Sequence, residues 1–207
     1  MFPEPNVLAG FLAGALILNL TPGPDVAFTL ASTARGGLRA GLAAAAGIVV
    51  GCTIWAAAAA LGLASLFAAS QEFLTFIRIL GGAYLVFLAV QTFRHRRDAS
   101  ESAGARGMMS AFRSGLLTNM LNPKVGLFFV AFLPAFIDPV RDGALQIFAL
   151  GGLFALTGGM VLALYATIFG RAHNLFGGDA RFTARLNVVA AAIFGGLGLH
   201  LIFARQN

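Results

Sequence analysis

The sequence predicts an all-α integral membrane protein with six transmembrane helices, arranged as two inverted three-helix repeats with a broken first and a broken fourth helix. Of its 207 residues, 58% are hydrophobic and 11% are charged, whereas a soluble domain carries about 25% charged residues. Apolar runs of roughly 20 residues, long enough to cross a bilayer as helix, recur along almost the whole chain. Because these runs are continuous, they do not fit the alternating strands of a transmembrane barrel.

Six apolar stretches supply the predicted helices, and a long polar linker at about residues 94–111 separates the first three from the last three. The stretches are Val7–Thr33, Leu42–Phe67, Phe73–Phe93, Gly115–Phe136, Ala144–Phe169 and Leu186–Phe203. Residues 1–207 then form one transmembrane domain with repeat halves at about 1–93 and 112–207. Three helices per half force the second half to enter the membrane in the opposite direction, as in an inverted repeat.

Arginines mark alternate loops, which the positive-inside rule places in the cytoplasm, so that both termini are predicted outside. The same rule explains the net charge of +6 better than a nucleic-acid partner does, because the positive residues form no single basic face. The loop arginines are Arg35 and Arg39, then Arg94, Arg96, Arg97, Arg106 and Arg113, and finally Arg171, Arg181 and Arg185.

The first stretch is interrupted by Pro22, Gly23 and Pro24, and Asp25 follows directly. A proline inside a helix removes a backbone donor and costs about 3 kcal/mol or more. Broken backbone at membrane depth is tolerated where it lines a cavity or is buried in protein. The sequence therefore predicts a helix break whose backbone lines a cavity or is buried in the protein.

The fourth stretch repeats the pattern with Pro123, which Lys124 follows. Aligning Pro24 with Pro123 sets Asp25 against Lys124. Each half thus carries a broken helix with an ionisable residue just after the break, and the two charges are opposite.

Asp25 and Lys124 have two interpretations. Either both lie near the cytoplasmic interface, or they line a solute path, where Asp25 binds an ammonium or takes up a proton and Lys124 binds a carboxylate. Free helix ends favour the second interpretation, because N-terminal ends attract carboxylates and unwound carbonyls attract ammonium groups. Four neutral residues near the breaks either contact the solute or cover broken backbone: Asn19, Thr21, Asn119 and Asn122.

The sequence contains no motif that indicates ATP use, metal binding or catalysis. It contains no Gly-x-x-x-x-Gly-Lys nucleotide-binding loop, so direct use of ATP is unsupported. The three histidines lack metal-ligand spacing, and no Ser/His/Asp arrangement indicates catalysis. The single Cys52 is interpreted as a small buried hydrophobe. We therefore predict no catalytic residue, no metal and no cofactor.

Several motifs resemble those of the lysine-exporter (LysE/RhtB) superfamily, in particular its homoserine/threonine-resistance branch. The resemblance covers nearly the full length of the chain, and the combination of the two proline breaks is its most specific part. The motifs are Asn19–Val26, Gly36–Gly41, Gly47–Gly51, Gly81–Leu85 and Phe112–Lys124.

The resemblance implies a multi-pass protein of the bacterial inner membrane that exports amino acids or their derivatives by proton antiport and can form homo-oligomers. We predict a secondary active exporter that alternates access around the breaks at Pro22–Asp25 and Asn122–Lys124. Its expected partners are a small amino-acid-like solute, protons and the lipid bilayer. One alternative is a membrane-embedded lipid-modifying enzyme, which would need a nucleophile or metal cluster near one interface. The other is an assembly subunit without transport of its own.

Overall fold

The computed structural model describes residues 3–62, 71–94, 105–138, 140 and 142–175, with isolated positions between 188 and 203. These ranges contain helices and connecting turns, which confirms the all-α class. The helices are α1 Pro5–Leu20, α2 Pro24–Ala60, α3 Gln71–Arg94, α4 Ala105–Met120, α5 Pro123–Leu127 and α6 Gly143–Leu175. After α5 the chain continues as a π-helical turn, Phe128–Phe132, and a 3₁₀ turn, Leu133–Phe136.

The predicted stretches correspond to these helices with shifted ends. The first stretch becomes α1 and the start of α2, and the fourth becomes the second part of α4 and everything up to Phe136. α4 begins at Ala105, inside the segment predicted as linker. Residues 95–104 of that linker lie outside the described residues, as do residues 63–70 and most of the sixth stretch.

α2 is a hairpin rather than one straight helix. Gly37 interrupts it with φ 73° and ψ −174°, a combination that is open to glycine almost alone. In a straight helix residues 33 and 41 would lie about 12 Å apart, yet a Cβ on Gly41 would collide with the Thr33 side chain. Val26 and Ile48 also pack together across the turn. We call residues 24–36 the first arm of α2 and residues 38–60 the second arm.

Length and composition mark two helices of the described residues as able to cross a membrane, Pro24–Ala60 and Gly143–Ala172. The pair Gly107–Met120 and Pro123–Phe136, bent by 48°, passes the same criterion as one broken span. Because α2 turns back at Gly37, its 37 residues form two antiparallel arms instead of a single crossing. α1 and the first arm show the same helix, gap, helix pattern as the bent pair.

α2 packs against both α4 and α6. Its contact with α4 is close enough to bring the two backbones together. A Cβ on Gly47 would collide with the carbonyl oxygen of Phe112, and a Cβ on Gly115 would collide with that of Ala44. Small residues permit this approach, as is usual between membrane helices. The contact joins the two halves of the chain, since α2 belongs to the first half and α4 to the second.

An aromatic cluster fills the bundle on one side of the breaks. The Phe128 and Phe154 rings stack with 3.8 Å between their centroids, and the Phe11 ring lies 6.0 Å from that of Phe128. The Trp55 ring stacks on Phe129 at 6.3 Å. All five side chains are buried. The cluster contains residues that precede the break in the first half and follow the break in the second, so it lies in the part of the bundle predicted to face outside.

Candidate solute site at the helix breaks

The two breaks are short gaps between helices. α1 ends at Leu20 and α2 begins at Pro24, while α4 ends at Met120 and α5 begins at Pro123. Both prolines occupy the first helical position, where a missing N–H breaks no helical hydrogen bond. Pro22 and Gly23 lie in the first gap, and Asn122 caps α5 by accepting a hydrogen bond of 3.1 Å from the Lys124 backbone N–H.

Lys124 reaches across from the second break to the first. Its Nζ donates hydrogen bonds to the carbonyl oxygens of Leu18 at 3.0 Å and Thr21 at 3.1 Å. The last carbonyls of a helix lack partners within the helix and carry partial negative charge, so an ammonium is suited to them. The Tyr165 hydroxyl donates to a third carbonyl, that of Leu20, at 3.3 Å. Groups from the second half thus cover the exposed end of α1.

Asp25 makes the reverse connection, from the first half to the end of α4. Its Oδ2 accepts a hydrogen bond of 2.9 Å from Asn119 Nδ2, which also lies 3.2 Å from the Cys52 sulfur. Asp25 is only 8% exposed and Asn119 is fully buried. Gly51 makes room for this contact, because a Cβ there would lie 2.6 Å from Asn119 Oδ1.

Asn19 and Thr21 have separate partners. Asn19 Nδ2 donates to the Thr157 hydroxyl at 3.1 Å and lies 3.4 Å from the Phe154 carbonyl oxygen. A Cβ on Gly158 would approach Asn19 Oδ1 to 3.0 Å, so a glycine again makes room for an asparagine. The Thr21 hydroxyl donates back to the Ile17 carbonyl at 2.7 Å.

Four buried polar atoms near the breaks make no hydrogen bond of regular geometry with the described residues, although the Asn122 amide lies near enough to the Asp25 carboxylate to interact with it. They are Asp25 Oδ1, Thr29 Oγ1, Asn119 Oδ1 and Asn122 Nδ2. Buried polar atoms are nearly always hydrogen-bonded, so each exception needs a reason such as a site for water, an ion or a ligand. The set contains acceptors and donors together, as a site for a polar solute requires.

The space between these groups is almost closed. A cavity of about 20 Å³ is lined by Asn19, Asp25, Cys52, Lys124 and apolar side chains of α2 and α6. This volume suits about one water molecule, whereas ligand pockets usually measure about 300–1,000 Å³. Binding of a solute here requires the helices to move apart.

The structure brings Asn19, Asp25 and Lys124 together in the lining of this cavity. Asn119 and Asn122 are buried beside the breaks but do not line the cavity, and Thr21 is exposed. Among the described residues, no ion pair joins Asp25 to Lys124. Three contributors were not singled out as site residues from the sequence: Cys52, Thr157 and Tyr165. Their positions depend on the packing of distant segments. The spacing of Gly51 and Gly158 was the available signal, since it marks where helices approach closely.

A closed polar site built on two broken helices inside an apolar bundle is typical of membrane proteins that move a solute through alternating access. The class defined by fold and site is a membrane translocator. Residues 16–205 match the LysE type translocator family, and the chain belongs to this family. Its members are translocators and not enzymes, which agrees with the prediction made from the sequence.

Relatives from several bacteria match over two thirds or more of the chain. A membrane protein of Vibrio cholerae is 28% identical and covers 97% of this chain and 98% of its own. The threonine efflux protein of Salmonella typhi is 29% identical over 92% of this chain and 94% of its own. The leucine efflux protein of Klebsiella pneumoniae is 32% identical over 67% of this chain and 68% of its own. No solved structure matches the chain significantly.

Proposed function

We propose that this protein is a secondary active exporter of amino acids or amino-acid derivatives across the inner membrane. The observation that carries the proposal is the pair of reciprocal contacts between the two halves at the helix breaks. Lys124 of the second half binds the end of α1, and Asp25 of the first half binds Asn119 at the end of α4. A partly buried ammonium, a buried carboxylate and the carbonyls at the end of α1 thereby lie close together, and these are the groups needed to bind a zwitterion.

The solute is proposed to replace contacts that the empty protein makes with itself. Its ammonium takes the place of the Lys124 ammonium on the carbonyls of Leu18 and Thr21. Lys124 then turns to the carboxylate of the solute, as an ammonium released from one set of acceptors requires another in an apolar bundle. The unpartnered atoms of Asn119 and Asn122 supply further hydrogen bonds.

Asp25 is the proposed carrier of the coupled proton. It is the buried carboxylate of the site, and one of its oxygens makes no hydrogen bond of regular geometry with the described residues. A carboxylate that is charged in one conformation and neutral in the other links proton movement to conformational change. The bond to Asn119 ties this group to the second half of the chain, where such a change would be transmitted.

Six membrane crossings in two inverted repeats, joined by a cytoplasmic linker, remain our proposal for the architecture, with both termini outside. The reciprocal contacts at the breaks support this architecture, because an asparagine near each break packs on a glycine of a helix in the other half. Asn119 packs on Gly51 of α2 and Asn19 packs on Gly158 of α6. Homo-oligomers are compatible with this architecture and belong to the same proposal.

The closed cavity and the aromatic cluster support the proposal of alternating access. The cluster around Phe128 and Phe154 blocks the side predicted to face outside. Separation of these rings would open the cavity at the helix breaks toward the outside of the membrane. The described conformation is therefore interpreted as closed toward the outside.

Thermal stabilisation of the purified protein by solutes tests the site. The panel comprises the twenty amino acids, homoserine and its lactone. A solute that binds the folded protein raises its melting temperature, and we expect Asp25→Ala and Lys124→Ala each to abolish that shift. A solute that stabilises both variants as well as the wild type would show that it binds elsewhere.

Transport in inside-out vesicles tests the proton coupling. Asp25→Asn keeps the shape of the side chain and removes its titration, so we expect loss of uptake driven by an imposed proton gradient. Asp142→Asn is the matched control, because Asp142 is exposed at the start of α6. Full gradient-driven uptake by Asp25→Asn would exclude Asp25 as the proton carrier.

A further inference from the structure

The buried hydroxyl of Thr29 lacks a hydrogen bond that other threonines of this protein make. Thr29 is fully buried, and its Oγ1 has no hydrogen-bond partner among the described residues. Six other described threonines donate to the carbonyl oxygen four residues earlier, at 2.7–2.9 Å: Thr21, Thr33, Thr53, Thr118, Thr157 and Thr167. A buried hydroxyl without a partner lowers the stability of the fold, so this exception requires an explanation.

Thr29 lies between the residues that line two separate cavities. Asp25, one turn before it, lines the cavity at the breaks. Ser32, one turn after it, lines a second cavity of about 200 Å³, which we call the vestibule. The vestibule is enclosed by the first arm of α2, the end of α3 and the start of α4. The spacing of four and then three residues puts Asp25, Thr29 and Ser32 on one face of the arm.

The vestibule and the aromatic cluster lie on opposite sides of the breaks. Ser32 and Ser114, which line the vestibule, follow the break in the first half and precede it in the second. Phe11 and Phe128 of the aromatic cluster have the reverse order. The predicted orientation places the vestibule toward the cytoplasm. With the outside closed by the aromatic cluster, the vestibule is the space through which cytoplasmic water approaches Asp25.

The polar residues of this face are spaced closely enough for a proton to pass along them. Along the helix axis, Thr29 is about 6 Å from Asp25, and Ser32 is about 4.5 Å from Thr29. A hydrogen bond between two oxygens spans about 3 Å, so one water molecule bridges the first step. The cavity of about 20 Å³ beside Asp25 has room for it. A hydroxyl both donates and accepts, so it can take up one proton while it releases another.

Asp25 is the carboxylate among the described residues that line the two cavities. The other titratable or charged side chains in or beside these linings are Arg35, Cys52, Tyr84 and Lys124. Arg35 donates to the Ala31 carbonyl oxygen at 3.4 Å, and Lys124 binds the end of α1. Neither cation can accept a further proton, and a neutral thiol or phenol is a far weaker base than a carboxylate. The proton that moves along this face therefore comes from Asp25.

We propose that the Thr29 hydroxyl is the relay through which Asp25 releases its proton to the cytoplasm. This proposal rests on the proposed proton-coupled export and adds a residue outside the breaks on which the coupling depends. The Asp25 carboxylic acid gives its proton to the Thr29 oxygen through one water molecule, while the Thr29 hydroxyl proton passes toward Ser32 and the water of the vestibule. Each intervening oxygen gains one O–H bond and loses one. Thr29 is unchanged, and Asp25 is left as a carboxylate.

Two kinds of transport by inside-out vesicles test the relay, with radiolabelled L-threonine and L-leucine as solutes. Uptake driven by a gradient that is acidic inside the vesicles requires protons to leave through the cytoplasmic face. Exchange of labelled against unlabelled solute without a gradient requires no proton release. We expect Thr29→Val, which nearly keeps the shape of threonine, to slow gradient-driven uptake about tenfold or more and to leave exchange at the wild-type rate. Thr29→Ser keeps the hydroxyl and should retain both activities.

Thr33→Val is the matched control for the loss of a buried hydroxyl. Thr33 is 1% exposed on the same arm, and its hydroxyl donates to the Thr29 carbonyl oxygen. Thr33→Val should therefore take up solute as the wild type does and melt at a lower temperature, because it loses that bond. Thr29→Val should melt no lower than the wild type. A melting temperature that falls as far as that of Thr33→Val would show that the protein itself binds the Thr29 hydroxyl, which would overturn the proposal.

The transport results separate the relay from other roles of Thr29. Gradient-driven uptake by Thr29→Val at the wild-type rate would overturn the proposal. Equal slowing of uptake and exchange would overturn it too, because Thr29 would then act on the solute or on the fold. Wild-type vesicles that exchange solute but show no gradient-driven uptake would instead contradict the proton coupling, and wild-type vesicles that do neither would contradict the proposed export.

Discussion

Asp25 and Lys124 occupy matching positions, one residue after the proline that restarts each broken helix, yet they satisfy their charges differently. Lys124 binds backbone carbonyls at the end of α1. Asp25 binds the Asn119 side-chain amide, and its other oxygen makes no hydrogen bond of regular geometry with the described residues. In the proposed mechanism, the ammonium is replaced by that of a solute, while the carboxylate changes its own charge.

The bond between Asp25 and Asn119 should stabilise the fold measurably. In a double-mutant cycle with Asp25→Ala and Asn119→Ala, we expect a coupling energy of about 1.5–3 kcal/mol, the usual worth of a hydrogen bond to a charged group. Denaturation of the purified protein measures it. The control cycle pairs Asp25→Ala with Gln146→Ala, whose partner Asp138 lies near the start of α6 and away from the breaks, and its effects should add. Additive effects in the Asp25 and Asn119 cycle would show that the contact contributes nothing.

At the scale of the element, the breaks were predictable because proline acts locally. Pro22, Pro24 and Pro123 disrupt any helix that would run through them, whatever its neighbours. The exact form of the hairpin in α2 was harder to predict from the sequence. The sequence predicts a polar loop around Arg35 and Arg39, whereas the chain reverses at Gly37 alone, because the backbone conformation of this glycine makes the turn without further residues.

Gly37 should tolerate no side chain without loss of stability. Gly37→Ala meets no atom within 4 Å, so its cost is conformational and is expected to be about 1–3 kcal/mol. Gly152→Ala is the matched control, since that glycine is helical and its Cβ would also meet open space. The melting temperature should fall for the first variant and remain or rise for the second. A stable Gly37→Ala variant would mean that α2 turns in another way.

The close contact between α2 and α4 depends on two glycines for a different reason: a side chain at either position does not fit between the two helices. Cβ atoms on Gly47 and Gly115 would strike the backbone carbonyls of Phe112 and Ala44, and backbone cannot swing aside as a side chain does. We expect Gly47→Ala and Gly115→Ala to cost about 1–3 kcal/mol each by overpacking. Gly152→Ala again serves as the control in thermal unfolding. If all three variants melt like the wild type, the two helices do not approach as closely as described.

On the scale of the whole molecule, the orientation in the membrane has a direct test. Alkaline phosphatase is active only outside the inner membrane, so phosphatase fused to either terminus should be active. A fusion within the linker at about residue 100 should be inactive. Green fluorescent protein, placed at the same three positions, should give the opposite pattern. Opposite behaviour of the two termini would require an odd number of crossings and would exclude the six-span proposal.

The sequence predicts properties that depend on composition and local order, and it misses those that depend on packing. The all-α class follows from long apolar runs, and the family follows from motifs around the breaks. The contact of Lys124 with Leu18 joins segments 106 residues apart, and no local pattern indicates it. Arg35 is instructive in the same way, because the positive-inside rule assigns it a side of the membrane and only the fold places it in the lining of a cavity with Ser32 and Ser110.

Cys52 lies in the wall of the closed cavity beside Asn119 and is the single cysteine of the chain. A maleimide must reach the sulfur directly, so alkylation should be slow while the cavity is closed and faster whenever it opens. A membrane-impermeant maleimide, applied to one face of sealed vesicles, would therefore report the side to which the cavity has opened. A solute that fills the opened cavity should protect the sulfur. The unmodified wild-type protein thus carries its own reporter for the proposed conformational change, in the cavity where that change is proposed to occur.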